Sequence, residues 1–227
     1  EIEGKDWRYE RKFRVEGLPD KSISHIVKMN PFHFSEVFSP RNVNNIYFDT
    51  IDKVSYFDNV DGLSDRFKVR IRWYGELFGP IEKPVLEIKI KRNLLGSKYS
   101  LKLKPFSLIQ GFSMSDILEV LEKSEVSELI KRHMASLEPT LVNRYSRCYF
   151  LSLNKKFRIT LDNNLEYFPV CASGNSFLHN LSEKLVTILE LKYAERDNNY
   201  ASEITQHFPF RMTKNSKYIT GIDLTGF

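Results

Sequence analysis

The 227-residue chain carries 34 Lys and Arg against 29 Asp and Glu, and 41% of its residues are hydrophobic. This composition excludes an intrinsically disordered chain, and no apolar run approaches the roughly 18 residues that a membrane-spanning helix needs. The length suits one domain over residues 1–227, of all-β or α+β type. Cys148 and Cys171 have no metal-binding spacing, so we expect two free, buried thiols in a cytoplasmic protein, with one disulfide as the alternative. Any contact with a membrane surface is expected through flanking regions.

Strand patterns dominate the chain, and three segments predict helices. The helices are predicted at Lys21–Met29, Ser115–Met134 and Asn198–Phe208, with Ser115 as the N-cap of the second. Turns are predicted at Gly75–Pro84 and Asn93–Lys98. The strands, in chain order, are Arg8–Val15, Asn44–Asp49, Phe67–Tyr74, Val85–Lys91, Tyr99–Lys104, Asn143–Leu151, Lys156–Asp162 and Leu185–Tyr193.

Charged and apolar residues alternate without exception over residues 66–73. Because successive side chains of a strand point to opposite faces, one face carries only cations and the other only apolar groups. The cationic face consists of Arg66, Lys68, Arg70 and Arg72. Other strands repeat the pattern with the polar sets Arg8, Glu10, Lys12 and Arg14; Glu87, Lys89 and Lys91; Lys102 and Lys104; Lys156, Arg158, Thr160 and Asp162; and Glu190 and Lys192.

An antiparallel sheet with one solvated face would give the same alternation, so a single strand does not decide its meaning. Solvated faces usually mix signs, however, because neighbouring like charges repel. Several neighbouring cationic faces therefore favour a site for a polyanion, and phosphate suits the Arg fork and the Lys point charge.

Four acids stand among these cations, namely Glu10, Glu87, Asp162 and Glu190. They either balance the cations or hold Mg²⁺ or Mn²⁺, which take carboxylate and phosphate oxygens together. Glu190 is the first metal candidate and Glu10 the second. No nucleophile motif and no P-loop is present, and phosphoryl transfer by positioning and electrostatics requires neither. We interpret the five histidines as structural or surface residues.

An ordered set of segments resembles the triphosphate tunnel metalloenzyme superfamily, and within it the catalytic domain of the vacuolar transporter chaperone (VTC) family, the polyphosphate polymerases. The segments are RYERKF (8–13), VNNIYFDT (43–50), RFKVRIRWYG (66–75), LEIKIK (86–91), NRYSRCYF (143–150), FRITLD (157–162), LELKY (189–193) and SKYITGI (216–222).

The resemblance implies an α+β fold, with a closed antiparallel β-barrel of eight strands, the triphosphate tunnel, flanked by a few helices. It implies that the basic faces point inward and that Glu190 binds metal. With the alternation, it assigns catalysis to Arg70, Arg72, Lys89, Arg147 and Arg158. Substrate binding falls to Lys12, Arg14, Arg66, Lys68, Lys91, Lys102, Lys214, Ser216 and Lys217, with Lys102 resting on the most variable spacing.

One departure from the superfamily concerns the first strand. The triphosphatase and adenylyl cyclase branch has Glu-x-Glu-x-Lys there, whereas this chain has Arg8, Glu10 and Lys12. The departure favours the polymerase branch. Because neither a phosphate-sensing SPX domain nor a membrane anchor is recognisable, a stand-alone or trimmed domain is expected.

Three functions remain open from the sequence. The first is Mn²⁺- or Mg²⁺-dependent synthesis of polyphosphate from ATP, and the second is hydrolysis of inorganic triphosphate. The third is a non-catalytic module that binds polyphosphate or an RNA 5′-triphosphate. The third is disfavoured because the strand aromatics, including Phe67 and Trp73, are expected in the core rather than exposed for base stacking. No DNA partner is indicated, and the oligomeric state is open.

Overall fold

The computed structural model describes residues 8–92 and 95–226. The β-strands are β1 (Arg8–Glu16), β2 (Ser35–Asp49), β3 (Asp65–Tyr74), β4 (Gly79–Ile81), β5 (Val85–Arg92), β6 (Leu95–Lys102), β7 (Phe106–Leu108), β8 (Glu138–Leu151), β9 (Arg158–Pro169), β10 (Leu181–Glu183) and β11 (Val186–Ala194). The α-helices are α1 (Asp20–Lys28), α2 (Val54–Val60), α3 (Met114–Lys123), α4 (Glu128–Ala135), α5 (Asn198–Gln206) and α6 (Lys217–Thr225).

Eight of the strands close into an antiparallel ring. The order is β9-β11-β1-β6-β5-β3-β2-β8, and β8 pairs with β9 to complete the circle. β10 pairs with β9, and β4 pairs with β7 as a separate two-stranded sheet. The sequence prediction of a closed eight-stranded antiparallel fold with flanking helices is confirmed.

Antiparallel pairing gives the ring two distinct rims. We call upper the rim where β1, β2, β5 and β9 begin and β3, β6, β8 and β11 end, and lower the opposite rim. The chain enters α2 directly after β2, so α2 lies at the lower rim.

Helices cover the outside of the ring, where the apolar faces of the strands point. α3 and α4 pack Ile117, Leu121 and Met134 in one core cluster with Ile71 and Trp73. α1 and α5 cover β1, β9 and β11 through a second cluster that includes Ile23, Val27, Ala201, Ile204, Phe13 and Leu189. With the apolar faces buried outside, the charged faces are left to the interior of the ring.

α6 closes part of the lower rim against the inner face of β2, β8 and β9. Tyr218 and Ile222 pack with Tyr47, Leu141 and Tyr167 in a third cluster. The Tyr218 hydroxyl donates to Asp49 Oδ2 at 2.7 Å. A Cβ on Gly221 would lie 2.3 Å from Leu141 Cδ2, so only glycine allows this close approach.

The chain before α6 fills a gap in the ring wall. Within the described residues, β1 pairs with β6 only at Arg8 and Tyr9, so the rest of that edge of β1 has no β6 partner. Phe13 forms a bridge with Met212, and Thr213 N donates to Lys12 O at 2.8 Å. This pairing carries the following residues, Lys214 to Lys217, toward the interior.

Several predicted elements differ from the structure. The helix predicted at Ser115–Met134 is two helices, because Ser124 is extended and its side chain bonds Val120 O, and the cap of the first is Ser113. α2 and α6 were not predicted, and β2 begins at Ser35 rather than Asn44. Most of the turn predicted at Asn93–Lys98 belongs to β6.

Two predictions of burial are wrong. Phe67 was expected in the core but is 52% exposed near the start of β3, whereas Trp73 is buried as expected. The cysteines are free thiols, but Cys171 is exposed and Cys148 is half-buried. Among the described residues, no helix combines the length and apolarity needed to cross a membrane.

Candidate active site

The predicted basic faces converge on the interior of the ring. Side chains from strands that are not neighbours meet there: Lys89 of β5 contacts Glu10 of β1, although β6 lies between them. Arg147 of β8 lies 3.8 Å from Glu190 of β11, although β9 lies between them. The charged faces of these alternating strands therefore line the enclosed interior of the ring and do not face bulk solvent.

Glu87 organises the cations of β3. Arg70 donates to Glu87 Oε2 from Nε at 2.8 Å and from Nη2 at 2.7 Å, and Arg72 Nη1 lies 3.5 Å from the same oxygen. Lys98 Nζ donates to Oε1 at 2.5 Å. Burial alone would raise the pKa of Glu87, but these three cations lower it far below its ordinary value, so Glu87 stays ionised.

Asp162 organises a second pair of cations. Its oxygens accept from Arg147 Nε at 2.5 Å and from Arg147 Nη2 at 2.6 Å, in the bidentate geometry of an Arg–carboxylate pair. Lys217 Nζ lies 2.5 Å from Asp162 Oδ2. Burial opposes ionisation of Asp162, but Arg147 and Lys217 outweigh burial and lower its pKa.

Glu10 and Glu190 share two lysines between neighbouring strands. Lys12 Nζ lies 3.8 Å from Glu10 and 3.3 Å from Glu190, and Lys192 Nζ lies 3.6 Å and 3.1 Å from them. Lys89 Nζ also donates to both oxygens of Glu10 at 3.0 Å. Although burial opposes ionisation, these cations hold the pKa of both carboxyls well below the ordinary range.

Cations outnumber carboxylates in this inner cluster. Among the described residues, its nine cations are Lys12, Lys68, Arg70, Arg72, Lys89, Lys98, Arg147, Lys192 and Lys217, and its four carboxylates are Glu10, Glu87, Asp162 and Glu190. Burial and the neighbouring cations Lys12, Lys89 and Arg66 lower the pKa of Lys68 well below its ordinary value. The pKa of Lys89 is lowered to about 8, chiefly by burial. Attraction from Glu10 opposes this shift, and repulsion from Lys12 and Lys192 adds to it. The interior is therefore a region of uncompensated positive charge.

Buried polar atoms without protein partners lie on the same inner face. Thr160 Oγ1 and Asn143 Nδ2 have no hydrogen-bond partner, and both side chains are almost fully buried. Thr160 is the cross-strand partner of Glu190, and the other amide atom of Asn143 accepts from Asn45 at 2.8 Å. Because unpaired buried polar groups are costly, these atoms are suited to contact an incoming polar ligand.

Glu10 and Glu190 could supply some, but not all, of the ligands of a divalent metal ion. Glu10 and Glu190 are ionised and close enough to share two ammonium groups, so the space between them already accommodates cations. Within residues 8–92 and 95–226, no three acids, histidines or cysteines are grouped to hold a metal by themselves. Mg²⁺ and Mn²⁺ sites of this kind use one or two carboxylates and take the remaining ligands from phosphates and water. A metal here would therefore need the substrate.

Some predicted residues lie outside the inner cluster. Arg14 pairs with Glu16 at 2.5 Å and Glu183 at 2.7 Å near the lower rim. Arg66, Lys91 and Lys214 also lie toward the lower rim, where Lys91 and Lys214 are close enough to interact. Arg158 and Lys102 share the inner-face register of their strands but are exposed at the upper rim, so the structure does not bring them into the cluster.

Two residues of the segment before α6, Asn215 and Ser216, contact lysines of the inner cluster. Ser216 Oγ accepts from Lys68 Nζ at 2.6 Å and from Ile219 N at 3.4 Å, which begins α6. Lys12 Nζ donates to Asn215 O at 3.1 Å. The segment before α6 is thus tied to cations of both β1 and β3.

The sequence reasoning missed five inner-face residues. Lys98 was assigned to a turn, and Lys192 was placed on the polar face but not in the site. Tyr145 accepts from Arg72 Nη2 at 3.2 Å, and its ring lies 4.7 Å from Lys217 Nζ. Tyr47 and Asn143 complete the set. The period-two alternation of residues 143, 145 and 147 could have identified two of them.

Three solved structures are similar to this chain, and the first of them supports the fold. A chain from Vibrio parahaemolyticus that is named as a candidate adenylate cyclase superposes with a TM-score of 0.53 at 12% identity, covering 93% of this chain and 97% of that one. The PH1819 protein of Pyrococcus horikoshii gives a TM-score of 0.49 at 11% identity, covering 95% and 97%.

A third structure is HpAC1 from Hippeastrum, named as an adenylyl cyclase but described with a dominant triphosphatase activity. It gives a TM-score of 0.48 at 14% identity, covering 96% of each chain. No curated protein sequence matches the chain. The family model of the VTC domain matches residues 13–225. The chain therefore belongs to the VTC domain family.

Proposed function

We propose that this chain binds the triphosphate of ATP on the inner cluster and transfers the γ-phosphoryl group to the end of a polyphosphate chain. The observation that carries the proposal is the excess of nine cations over four carboxylates inside a closed ring. Membership of the VTC family supports the coarser statement, an enzyme that acts on triphosphates by phosphoryl transfer.

The reaction joins a terminal phosphate oxygen of the acceptor chain to the γ-phosphorus of ATP and breaks the bond to ADP. Arg70, Arg72 and Arg147 are held in place by Glu87 and Asp162 before any ligand arrives. Such preorganised cations stabilise charge on transferring oxygens without reorganisation at the moment of reaction. No protein nucleophile is required, because positioning and electrostatics carry this class of reaction.

A divalent ion, Mn²⁺ or Mg²⁺, would be held by Glu190, with Glu10 beside it, and by phosphate oxygens. When bound, it supplies neutralisation of charge on the transferred and leaving groups. Lys12 and Lys192, which contact both carboxylates, would turn toward the phosphates.

The lower rim offers a route for the product chain. α6 and its apolar cluster occupy the wall formed by β2, β8 and β9. Arg66 on β3, Lys91 on β5 and the nearby Lys214 leave a basic wall on the other side. A polyphosphate chain leaving the inner cluster would follow these cations.

The proposal is tested by incubating purified protein with ATP and Mn²⁺ and staining a gel for polyphosphate. Long chains are expected from the wild type and none from Glu190→Gln, whereas Glu119→Gln, a change in an exposed α3 ion pair, serves as the matched control. Release of free phosphate without chains would replace synthesis with triphosphate hydrolysis. Binding of tripolyphosphate without turnover would indicate a non-catalytic binding module instead of an enzyme.

A further inference from the structure

A group of aromatic and arginine side chains extends the inner face beyond the cations at the upper rim. Tyr149 follows Arg147 by two residues on β8, so both side chains point to the same face. Phe38 and Arg41 of β2 are the cross-strand partners of Tyr149 and Arg147. These three residues, Phe38, Arg41 and Tyr149, are called the upper aromatic group below.

The upper aromatic group is preassembled and open. The Arg41 guanidinium carbon lies 4.9 Å from the centre of the Phe38 ring and 6.0 Å from that of Tyr149. The two rings meet edge to face at 5.7 Å. Phe38 is nevertheless 52% exposed, and Arg41 is exposed as well, so ring and guanidinium faces remain available.

A nearby tyrosine of β3 supports the group. Tyr74 is 52% exposed, follows Arg72 by two residues and lies close enough to Tyr149 to raise the pKa of its phenol, after the larger effect of burial. On both β3 and β8, an arginine of the inner cluster is therefore followed at the rim by a tyrosine. Exposed aromatic rings and arginine planes are the surfaces on which nucleobases stack.

We propose that the upper aromatic group binds the nucleobase of a nucleoside triphosphate whose phosphates lie on the inner cluster. This inference rests on the proposed function and deepens it, because it selects a nucleotide over inorganic triphosphate. Residues two apart in a strand are separated by about 7 Å. That separation places a ribose between phosphates held by Arg147 and a base stacked beside Tyr149.

The location of the group, rather than exposure alone, distinguishes it. Phe67 is also 52% exposed, but it lies on the outer face of β3 near the lower rim. Phe67→Leu is therefore a matched control that removes an equally exposed ring away from the proposed base.

The experiment compares the dissociation constants of ATP and inorganic tripolyphosphate by calorimetry, for wild type, Phe38→Leu, Arg41→Gln and Phe67→Leu. Loss of one stacking surface is expected to raise the ratio of the ATP constant to the tripolyphosphate constant by about fivefold or more in the first two variants. The ratio is expected to stay at the wild-type value in Phe67→Leu.

An unchanged ratio in Phe38→Leu and Arg41→Gln, with both ligands bound, would overturn the nucleobase assignment and leave the proposed phosphate site intact. If wild type bound neither ligand, the proposed function and this inference would both fall. The third ligand measured is a short RNA with a 5′-triphosphate. If Phe38→Leu and Arg41→Gln lost affinity for that RNA but bound ATP as the wild type does, the assignment to a nucleotide would also be overturned.

Discussion

Asp162 is the buried carboxylate whose removal tests the charge balance of the ring most sharply. Asp162→Asn keeps the shape of the side chain but removes the negative charge that faces Arg147 at 2.5 and 2.6 Å and Lys217 at 2.5 Å. Asp162 is fully buried, and both cations are almost so. Breaking a buried ion pair on one side typically costs about 3–5 kcal/mol, because a buried charge is left without compensation.

The loss should be visible in thermal unfolding. For a chain of this size, 1 kcal/mol corresponds to roughly 2–4 °C, so the melting temperature of Asp162→Asn is expected to fall by roughly 6–20 °C. Glu119→Gln, which removes an exposed ion pair with Lys123, should leave it almost unchanged. Saturating tripolyphosphate should recover more stability in Asp162→Asn than in the wild type, because the variant presents a larger excess of positive charge to the anion.

The pH dependence gives a second check on the same residue. Since the pKa of Asp162 is lowered in the folded protein, its stabilisation is present above the ordinary value of about 3.9 and is lost as the pH falls through the folded value. The difference between wild type and Asp162→Asn should therefore shrink in acid. Equal melting temperatures for Asp162→Asn and Glu119→Gln at neutral pH would refute the reasoning.

Three further predictions concern binding, pH and packing. Arg70→Ala should weaken tripolyphosphate binding by about 1–3 kcal/mol in calorimetry, as expected for a charge-assisted contact, and unchanged affinity would place the anion elsewhere. Because the pKa of Lys89 is lowered to about 8, wild-type affinity should fall as the pH rises through 8 with a slope that Lys89→Met lacks; identical slopes would contradict that assignment. Gly221→Ala should destabilise the fold by about 1–3 kcal/mol in denaturant unfolding, although alanine normally favours a helix, because its Cβ would lie 2.3 Å from Leu141 Cδ2. Gly96→Ala, whose nearest contact would be an ordinary 3.7 Å, is the control, and equal losses in both would remove the steric explanation.

Much of the fold and site prediction came from the alternation of charged and apolar residues in β3. This alternation identifies the two faces of the strand but not which of them points into the ring. Arg66 to Trp73 separate cations from apolar groups, which reveals a strand with one charged face but not the side on which the charges lie. Closure of the ring decides that question, since Trp73 and Ile71 pack outward against α3 and α4. The inward direction came from the family resemblance, and contacts such as Lys89 to Glu10 confirm it.

The missed elements carry weak local signals. α2 has only seven residues and buries none of its side chains, so it is too short for a helical period to be recognised in the sequence. α6 contains Gly221, which is unfavourable in an isolated helix and is explained only by the close packing on Leu141 and Tyr167. The first half of β2 is exposed throughout and contains Pro40, so it lacks the alternation of a half-buried strand.

The convergence of side chains in the inner cluster was predictable where the cations occupy alternate positions of a strand. Arg70, Arg72, Lys89 and Arg147 lie in the cluster as the alternation and the resemblance indicated. Arg158 and Lys102 share the same register but stand at the upper rim, because period two fixes the face of a strand and not the height along the ring. Lys98 was missed because its strand has polar residues on both faces, so the sequence does not show which face points inward.

The most direct test is a crystal structure of the protein with tripolyphosphate and Mn²⁺, with the metal located by its anomalous scattering. The account predicts phosphate oxygens within hydrogen-bonding distance of Arg70, Arg72 and Arg147, and a manganese peak beside Glu190. Phosphates bound only on the outer surface, with the inner carboxylates still paired to their lysines, would contradict it.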